Sequence, residues 1–425
     1  MSSARLVALG FASIILIGSL LLKMPFCIRD GVTLKYIDAL YTSTTAVCVT
    51  GLVTVDIGDT FTVAGRTVIC LFIQIGGLGV TSVGAGIIVA MRKKMGTKER
   101  TLVKEASNLY SSKGVVKFVK NVFLTTIVFE FFGAVLSFFT FIKDYPMKKA
   151  IGLSVFHSVS AFNNAGLDVL GNFQSFAAYK EDVFFNIITA LLIILGGLGF
   201  LVIREVFAKK FRWKKFSMHT KVVLSTTAIL IIGGTVLFKL TENISWIGAF
   251  FNSVTARTAG FSTYSIGGFS NAGLLIMMIL IVIGASPGST GGGIKTTTFF
   301  TLFQGIKFSA TNKSEKAFKY SLPEDSFRKA SVITITALFI ILTGTALLTV
   351  AEPDITLRDA LFEISSAFGT AGLSTGITPT LCTGSKILCI LIMFIGRLGP
   401  MTVATLWYFN KGERVRYPEG NISIG

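Results

Sequence analysis

Four short polar runs, each closing on a glycine and a large apolar residue, interrupt an otherwise apolar chain. They are Thr44-Thr45-Ala46-Val47-Cys48-Val49-Thr50-Gly51-Leu52, Val159-Ser160-Ala161-Phe162-Asn163-Asn164-Ala165-Gly166-Leu167, Ser253-Val254-Thr255-Ala256-Arg257-Thr258-Ala259-Gly260-Phe261 and Ser365-Ser366-Ala367-Phe368-Gly369-Thr370-Ala371-Gly372-Leu373. Subtracting residue numbers puts the glycines 115, 94 and 112 residues apart. A period near 100 residues constrains the architecture before any local reading, because one supersecondary unit is then built four times.

The setting of the runs decides what the unit is. Only 15% of the 425 residues are charged and the mean hydropathy is +0.71, whereas soluble domains carry about 25% charged residues. Apolar runs near 6–22, 68–90, 118–142, 183–207, 222–240, 332–350 and 387–407 each reach the roughly 17–25 residues that cross hydrocarbon. An eighth, starting near Leu274, is broken in its middle. The 38 Phe residues suit a lipid-facing surface.

The net charge of +18 is unevenly spread. Segments 92–120, 204–221, 307–329 and 411–425 with Arg5 hold 26 of the 40 basic residues and 8 of the 22 acids. The segments assigned outside hold 11 basic and 13 acidic residues. Lys and Arg gather on cytoplasmic loops, so both termini are expected inside. A basic inner face meets anionic lipid, and nucleic acid is not expected as a partner.

Each unit reads as a helix, a short re-entrant helix, an extended run and a second helix. The short helices are expected at 36–47, 151–161, 244–254 and 357–367, about 11 residues each and too short to cross the bilayer. The expected divisions are 1–91 for the first unit, 92–208 for a cytoplasmic loop and the second, and 209–308 for a loop and the third. A loop and the fourth unit occupy 309–410, followed by a cytoplasmic tail at 411–425. Non-helical backbone at membrane depth survives only when buried or facing water, so the polar runs belong at the protein's centre. The fold class is an all-α membrane protein of eight spans and four re-entrant loops, with pseudo-fourfold symmetry.

A second motif keeps the same register. Ile75-Gly76-Gly77-Leu78-Gly79, Leu195-Gly196-Gly197-Leu198-Gly199 and Ile395-Gly396-Arg397-Leu398-Gly399 fall on the last helix of their units, with Ile283-Gly284 in the third. Glycines on a span usually serve close helix packing; their recurrence also marks duplication.

Replacing the water shell of an alkali cation requires oxygen ligands, and carbonyl dipoles supply them without a fixed charge that would trap the ion. Turning carbonyls inward needs φ/ψ values that a Cβ forbids. The candidate ion-binding residues are therefore Gly51, Gly166, Gly260 and Gly372 with those just before them: Val49, Thr50, Asn164, Ala165, Thr258, Ala259, Thr370 and Ala371. Inward-pointing helix C-termini would bring negative dipole ends to the same place.

The last helix of the third unit is interrupted by Gly284-Ala285-Ser286-Pro287-Gly288-Ser289-Thr290-Gly291-Gly292-Gly293-Ile294-Lys295. Each Gly costs a helix about 1 kcal/mol and Pro about 3 kcal/mol, so this segment is not helical. Gly292-Gly293-Ile294-Lys295-Thr296 imitates a phosphate loop, but Gly must immediately precede Lys, a strand should come first, and this segment lies at membrane depth. A plain kink filled by protein is the other reading.

Arg397 replaces a glycine of the fourth motif. A charge at membrane depth costs about 2.5–3.5 kcal/mol and usually faces a cavity; snorkelling to the inner surface is the alternative. Lys295 could face the cavity or reach the cytoplasm. Arg257 should point away from the ion path, with Glu363 a candidate partner. Glu130 is either packed and paired or an ion site, and Asp56 and Asp168 either concentrate cations at the outer mouth or are solvated.

The whole chain resembles the Ktr/Trk/HKT superfamily of K⁺ and Na⁺ transporters, closest to the bacterial KtrB-type membrane subunit. Thr50-Gly51, Ala165-Gly166, Arg257-Thr258-Ala259-Gly260-Phe261 and Thr370-Ala371-Gly372 match its motif. The resemblance implies a K⁺-channel-like selectivity filter with one glycine per repeat, a gate at 284–295 held by Arg397, and K⁺ as the transported ion. Because Ser at the first filter glycine accompanies Na⁺ preference in plant members, Gly51 implies K⁺. It further implies a homodimer in the plasma membrane with a cytoplasmic, KtrA-like nucleotide-binding ring. The nearest rival is a Na⁺-coupled or Na⁺-permeable member of the same family.

Other classes find little support. Five Cys without a CxxC do not make a disulfide framework. Two His and one intramembrane acid, Glu130, offer neither a metal site nor the paired groups of an enzyme. No Rossmann-type fingerprint follows a strand, so no nucleotide cofactor is expected in this chain. The first apolar run lacks a cleavage site and reads as a retained helix.

Overall fold

The computed structural model describes residues 3–91, 95–106, 114–311, 316–323 and 325–405. The expected cytoplasmic tail at 411–425, and parts of the basic segments 92–120 and 307–329, lie outside these residues.

The first unit contains α1 (Ser3–Leu22), α2 (Tyr36–Cys48), α3 (Ile57–Thr60), α4 (Val63–Leu78) and α5 (Val80–Ala90). After α6 (Thr97–Ala106), the second contains α7 (Val115–Phe141), α8 (Met147–Phe162), α9 (Val183–Leu198) and α10 (Phe200–Ala208). The third contains α11 (Met218–Thr241), α12 (Trp246–Thr255), α13 (Asn271–Val282) and α14 (Thr296–Thr311). A two-stranded hairpin, β1 (Lys316–Ala317) with β2 (Tyr320–Ser321), precedes the fourth: α15 (Ser326–Ala351), α16 (Leu357–Gly369), α17 (Thr383–Leu398) and α18 (Pro400–Thr405).

The helices α1, α7, α11 and α15 are each long and apolar enough to cross a membrane. Their outer faces expose residues such as Leu16, Phe131, Ile229 and Phe339, the surface a bilayer covers. The short helices differ: they carry Ser and Thr residues and bury more than half of their length. Each last helix begins with a side-chain cap, from Thr62, Asp182, Ser270 or Cys382, which satisfies an otherwise orphaned amide.

The same lock holds three short helices to their long partners. Ser43 donates to Ile15 O at 2.7 Å, Ser158 to Glu130 O at 2.6 Å and Ser253 to Ile231 O at 2.8 Å. Three residues after each acceptor stands a glycine, Gly18, Gly133 or Gly234, where a Cβ would strike that serine. In the fourth unit Gly344 faces Ile392 and Ile364 instead. Small residues thus let the backbones approach and a hydroxyl bonds them.

The units pack in chain order and the order closes. Beyond its own unit, α8 packs on α4, α12 on α9, α16 on α13, and α2 on α17. The α2–α17 seam carries a buried ion pair, Lys386 Nζ to Asp38 Oδ1 at 2.8 Å.

Two expectations are corrected in shape. The runs 68–90 and 183–207 are not continuous helices: α4/α5 and α9/α10 bend by 98° and 99°. The bends fall at Gly79 (φ +83°) and Gly199 (φ +90°), and Gly399 (φ +87°) ends α17 the same way. The third glycine of the motif therefore breaks the helix, and the first serves packing: Gly76, Gly196 and Gly396 lie against the carbonyls of Val47, Phe162 and Phe368 at the ends of the short helices. The short helix α8 also starts earlier than expected, at Met147 rather than 151, following the N-cap Pro146.

Candidate functional site

The four polar runs meet at one place, and their backbones alternate in hand. Val49, Asn164, Thr258 and Thr370 have φ of +57°, +59°, +72° and +49°; two residues later Gly51, Gly166, Gly260 and Gly372 have +103°, +64°, +88° and +80°. Non-glycine residues rarely sit there, and local strain persists only where the surroundings impose it. The amides of Thr50, Ala165, Ala259 and Ala371 are bonded to carbonyls of the short helices: Thr45 (2.8 Å), Ser160 (2.8 Å), Thr255 (2.9 Å) and Ser366 (2.9 Å). Hydroxyls add further ties, with Thr45 accepting from Gly51 N at 2.9 Å and Thr255 donating to Phe261 O at 2.7 Å.

With their amides held outward, the same residues present carbonyls to the neighbouring unit. A Cβ on Gly51 would lie 2.7 Å from Ala165 O and one on Gly260 would lie 2.6 Å from Ala371 O. One on Gly166 would strike Ala259 O, and one on Gly372 would strike Thr50 O. Each glycine therefore faces the carbonyl before the next unit's glycine, and the fourth returns to the first. Eleven of the twelve expected ring residues are buried here, and Gly372 is half-buried.

A cavity lies on either side of this ring. One, of about 420 Å³, has the four glycines in its wall together with Asp56 and Asp168. Asp56 is occupied structurally, capping α3 through Asp59 N (2.9 Å) and accepting from Phe173 N (2.7 Å). Among the described residues Asp168 accepts a hydrogen bond from Leu170 N alone, at 3.0 Å, on one oxygen. Burial pushes its carboxyl up to about 7, and the like charge of Asp56 adds to the rise. The other cavity, about 350 Å³, is lined by Gly288, Ser289, Gly291, Lys295 and Arg397.

The broken segment lies directly against the ring. Gly292 N donates to Thr370 Oγ1 at 3.0 Å, and a Cβ on Gly291 would strike Thr258 Oγ1. Ser286 N and Thr290 N donate to Gly197 O (3.0 Å) and Gly196 O (3.3 Å). Ala285 bonds through its backbone to Gly292 and Thr296, Gly293 turns at φ +67°, and Pro287 precedes Gly288, whose carbonyl accepts from Phe200 N at 3.1 Å. Three cations grip the segment by its carbonyls. Arg397 donates to Thr290 O and, from its other terminal nitrogen, to Gly76 O and Gly77 O. Lys295 donates to Gly291 O at 2.7 Å and Gly292 O at 3.3 Å, so it turns inward.

The third cation, Arg257, corrects an expectation. It does not pair with Glu363, which instead accepts from Ser374 (2.7 Å) and Thr378. Arg257 points back into protein and donates to Gly284 O at 3.5 Å, where the segment leaves α13. Sequence reasoning had missed this contact, and no local pattern signals it because the partner is a backbone atom 27 residues away. Glu130 is paired, with Gln74 at 3.2 Å and Asn163 at 2.8 Å. Among the described residues, no group of three or more His, Cys, Asp or Glu could hold a metal ion.

Together these features describe a helical protein in which four glycine-ended runs meet between two cavities, one of them lined in part by a cation-held segment. The pattern of the TrkH family, described as "Cation transport protein", matches residues 9–242 and 220–413. The chain belongs to the TrkH family of cation transport proteins, which are transporters rather than enzymes. It is 38% identical to the potassium/sodium uptake protein NtpJ of Enterococcus hirae, covering 100% of this chain and 98% of that one. It is also 38% identical to the Ktr system potassium uptake protein B of Bacillus subtilis, covering 99% and 96%. The crystal structure of the potassium transporter TrkH from Vibrio parahaemolyticus superimposes with a TM-score of 0.76 at 18% identity, covering 96% of this chain and 85% of that one.

Proposed function

We propose that this chain takes K⁺ into the cell across the plasma membrane, through a filter made of the carbonyls that precede Gly51, Gly166, Gly260 and Gly372. The observation that carries the reading is the cyclic placement of each glycine against the next unit's carbonyl. An ion there exchanges water for carbonyl dipoles and leaves again because no fixed charge traps it. The short helices end at the runs, so their negative dipole ends favour a cation. The architecture is eight spans and four re-entrant loops around a pseudo-fourfold axis, with both termini cytoplasmic.

The 284–295 segment is the gate. Pinned by Arg397, Lys295 and Arg257, it fills the path beneath the ring and places positive charge in the inner cavity, which repels cations. Opening requires exchanging those carbonyl bonds for others. The chain is similar to Ktr system potassium uptake proteins B and D, and the reading extends to a homodimer with a cytoplasmic nucleotide-binding ring on the basic inner loops.

Na⁺ remains a second reading for a specific reason: a relative at 38% identity is named for both potassium and sodium uptake. The test is flux through the purified chain in K⁺-loaded and Na⁺-loaded liposomes, with a variant shortened within 284–295 alongside. Potassium flux well above sodium flux is expected. Equal fluxes sink the K⁺ assignment, and no flux from either chain sinks the pore.

A further inference from the structure

Glu130 stands apart from its counterparts. In each unit's first helix, three residues before the glycine facing the short helix, the chain has Ile15, Glu130, Ile231 and Ile341. A carboxyl at that depth carries a penalty that isoleucine does not, so its partners must offset it. Those partners are equally particular. Gln74, two residues before Gly76, corresponds to Ile194, Val282 and Phe394; Asn163, three before Gly166, corresponds to Cys48, Arg257 and Gly369. The polar triad therefore occurs only at the seam between the first and second units.

The triad is bonded through Asn163 Nδ2, while Asn163 Oδ1 has no hydrogen-bond partner among the described residues. Gln74 Nε2 donates to Glu130 Oε2 at 3.2 Å, and Asn163 Nδ2 lies 2.8 Å from Glu130 Oε1, 2.9 Å from Gln74 Oε1 and 2.9 Å from Val159 O. One carboxylate thus orients two amides, and Asn163 immediately precedes the left-handed Asn164 of the ring.

The same triad abuts the grip on the gate. Asn163 packs its amide oxygen against Gly77, leaving no room for a Cβ there. Gly76 and Gly77 are the residues whose carbonyls receive Arg397, and Arg397 also holds Thr290 O. Thr290 in turn donates to Phe162 O at 3.3 Å, the residue before Asn163. The contacts run without a gap from the gate segment to the second filter run.

We propose that Glu130, with Gln74 and Asn163, is a positioning brace that couples the Arg397 latch to the second filter run, so that Glu130 sets how well the ring discriminates between K⁺ and Na⁺. The proposal rests on the K⁺-pore reading. Glu130 touches no ion; it acts by holding Asn163, and through it the backbone hand at Asn164.

The test measures K⁺/Na⁺ flux ratios in liposomes for the full chain, Glu130→Gln, Asn163→Leu, Arg397→Ala and the double variant Glu130→Gln/Arg397→Ala. Glu130→Gln keeps the shape and replaces the carboxyl by an amide, so it decides the matter if Asn163→Leu is not recovered. The expected result is at least a fivefold fall in the ratio for Glu130→Gln, partly restored in Glu130→Asp. In the double variant, the two effects on the ratio should depart from simple multiplication by fivefold or more, the signature of residues coupled through one network. A merely structural role would lower protein yield and leave the ratio and its multiplicativity intact. An unchanged ratio for Glu130→Gln beside a selective unmodified chain overturns this proposal alone; an unselective unmodified chain overturns the parent reading and this proposal with it.

Discussion

Replacing Gly51 by serine tests the filter where its geometry is least forgiving. Gly51 has φ +103°, and an added Cβ would stand 2.7 Å from Ala165 O, 3.1 Å from the Gly372 Cα and 3.3 Å from the Gly166 Cα. Holding a residue with a side chain in such a region costs on the order of 1–3 kcal/mol. The nearest atom is a carbonyl of the ring, and no flexible side chain lies in between to absorb the overlap. Relief must come from turning Ala165 O away, which removes or misplaces one ligand. If that strain falls on the K⁺-bound filter and not on the looser Na⁺-bound one, the K⁺/Na⁺ preference drops by about five- to 150-fold. Paired K⁺ and Na⁺ flux measurements on the reconstituted variant, checked for folding by size-exclusion profile, read the ratio directly. A folded Gly51→Ser protein with an unaltered ratio would refute the reasoning, because the overlap is with backbone and something in the ring has to move.

Arg397→Ala removes charge-assisted bonds to three carbonyls, each worth about 1.5–3 kcal/mol, and is expected to raise basal K⁺ flux at least tenfold; unchanged or lower flux in folded protein counts against the latch. Uptake at limiting K⁺ should weaken as the outside pH falls through about 7, where the raised Asp168 carboxyl takes up its proton and the outer cavity loses a negative charge. Asp168→Asn should flatten that profile. By linkage, this group's contribution to stability is full below its unfolded-state value and is lost as pH rises through about 7, so a detergent melting curve that gains from rising pH in this window would contradict the burial. Ser158→Ala should cost about 1 kcal/mol by losing its bond to Glu130 O, whereas alanine at Ile364, the fourth unit's counterpart, loses packing and no hydrogen bond.

What the sequence revealed and what it hid differ by mechanism. The polar runs were legible because a glycine that must take positive φ, after small hydroxyl residues, leaves a pattern that repeats. The break after α13 was legible because glycine and proline are intrinsically poor in helices. The bends at Gly79 and Gly199 were not, since the chain stays apolar on both sides and hydropathy carries no direction. The early start of α8 was hidden by Lys148 and Lys149, polar residues in an otherwise apolar first turn. Arg257 and Glu130 were recognised as anomalies, yet their partners lie on other helices, and no spacing rule connects Glu130 with Gln74 across 56 residues. The serine locks were missed because a lone serine opposite a glycine has no meaning until the two helices are seen to cross.

The ion pair between Asp38 and Lys386 spans 348 residues of sequence. During synthesis, the first short helix enters the membrane with a carboxylate whose counter-charge has not yet been translated. A ribosome product ending anywhere before α17 keeps that acid uncompensated at a buried seam, a penalty of several kcal/mol. The seam accordingly reports completion: only a chain that has reached α17 can bring its late helices back to α2, and a shorter one leaves that edge open.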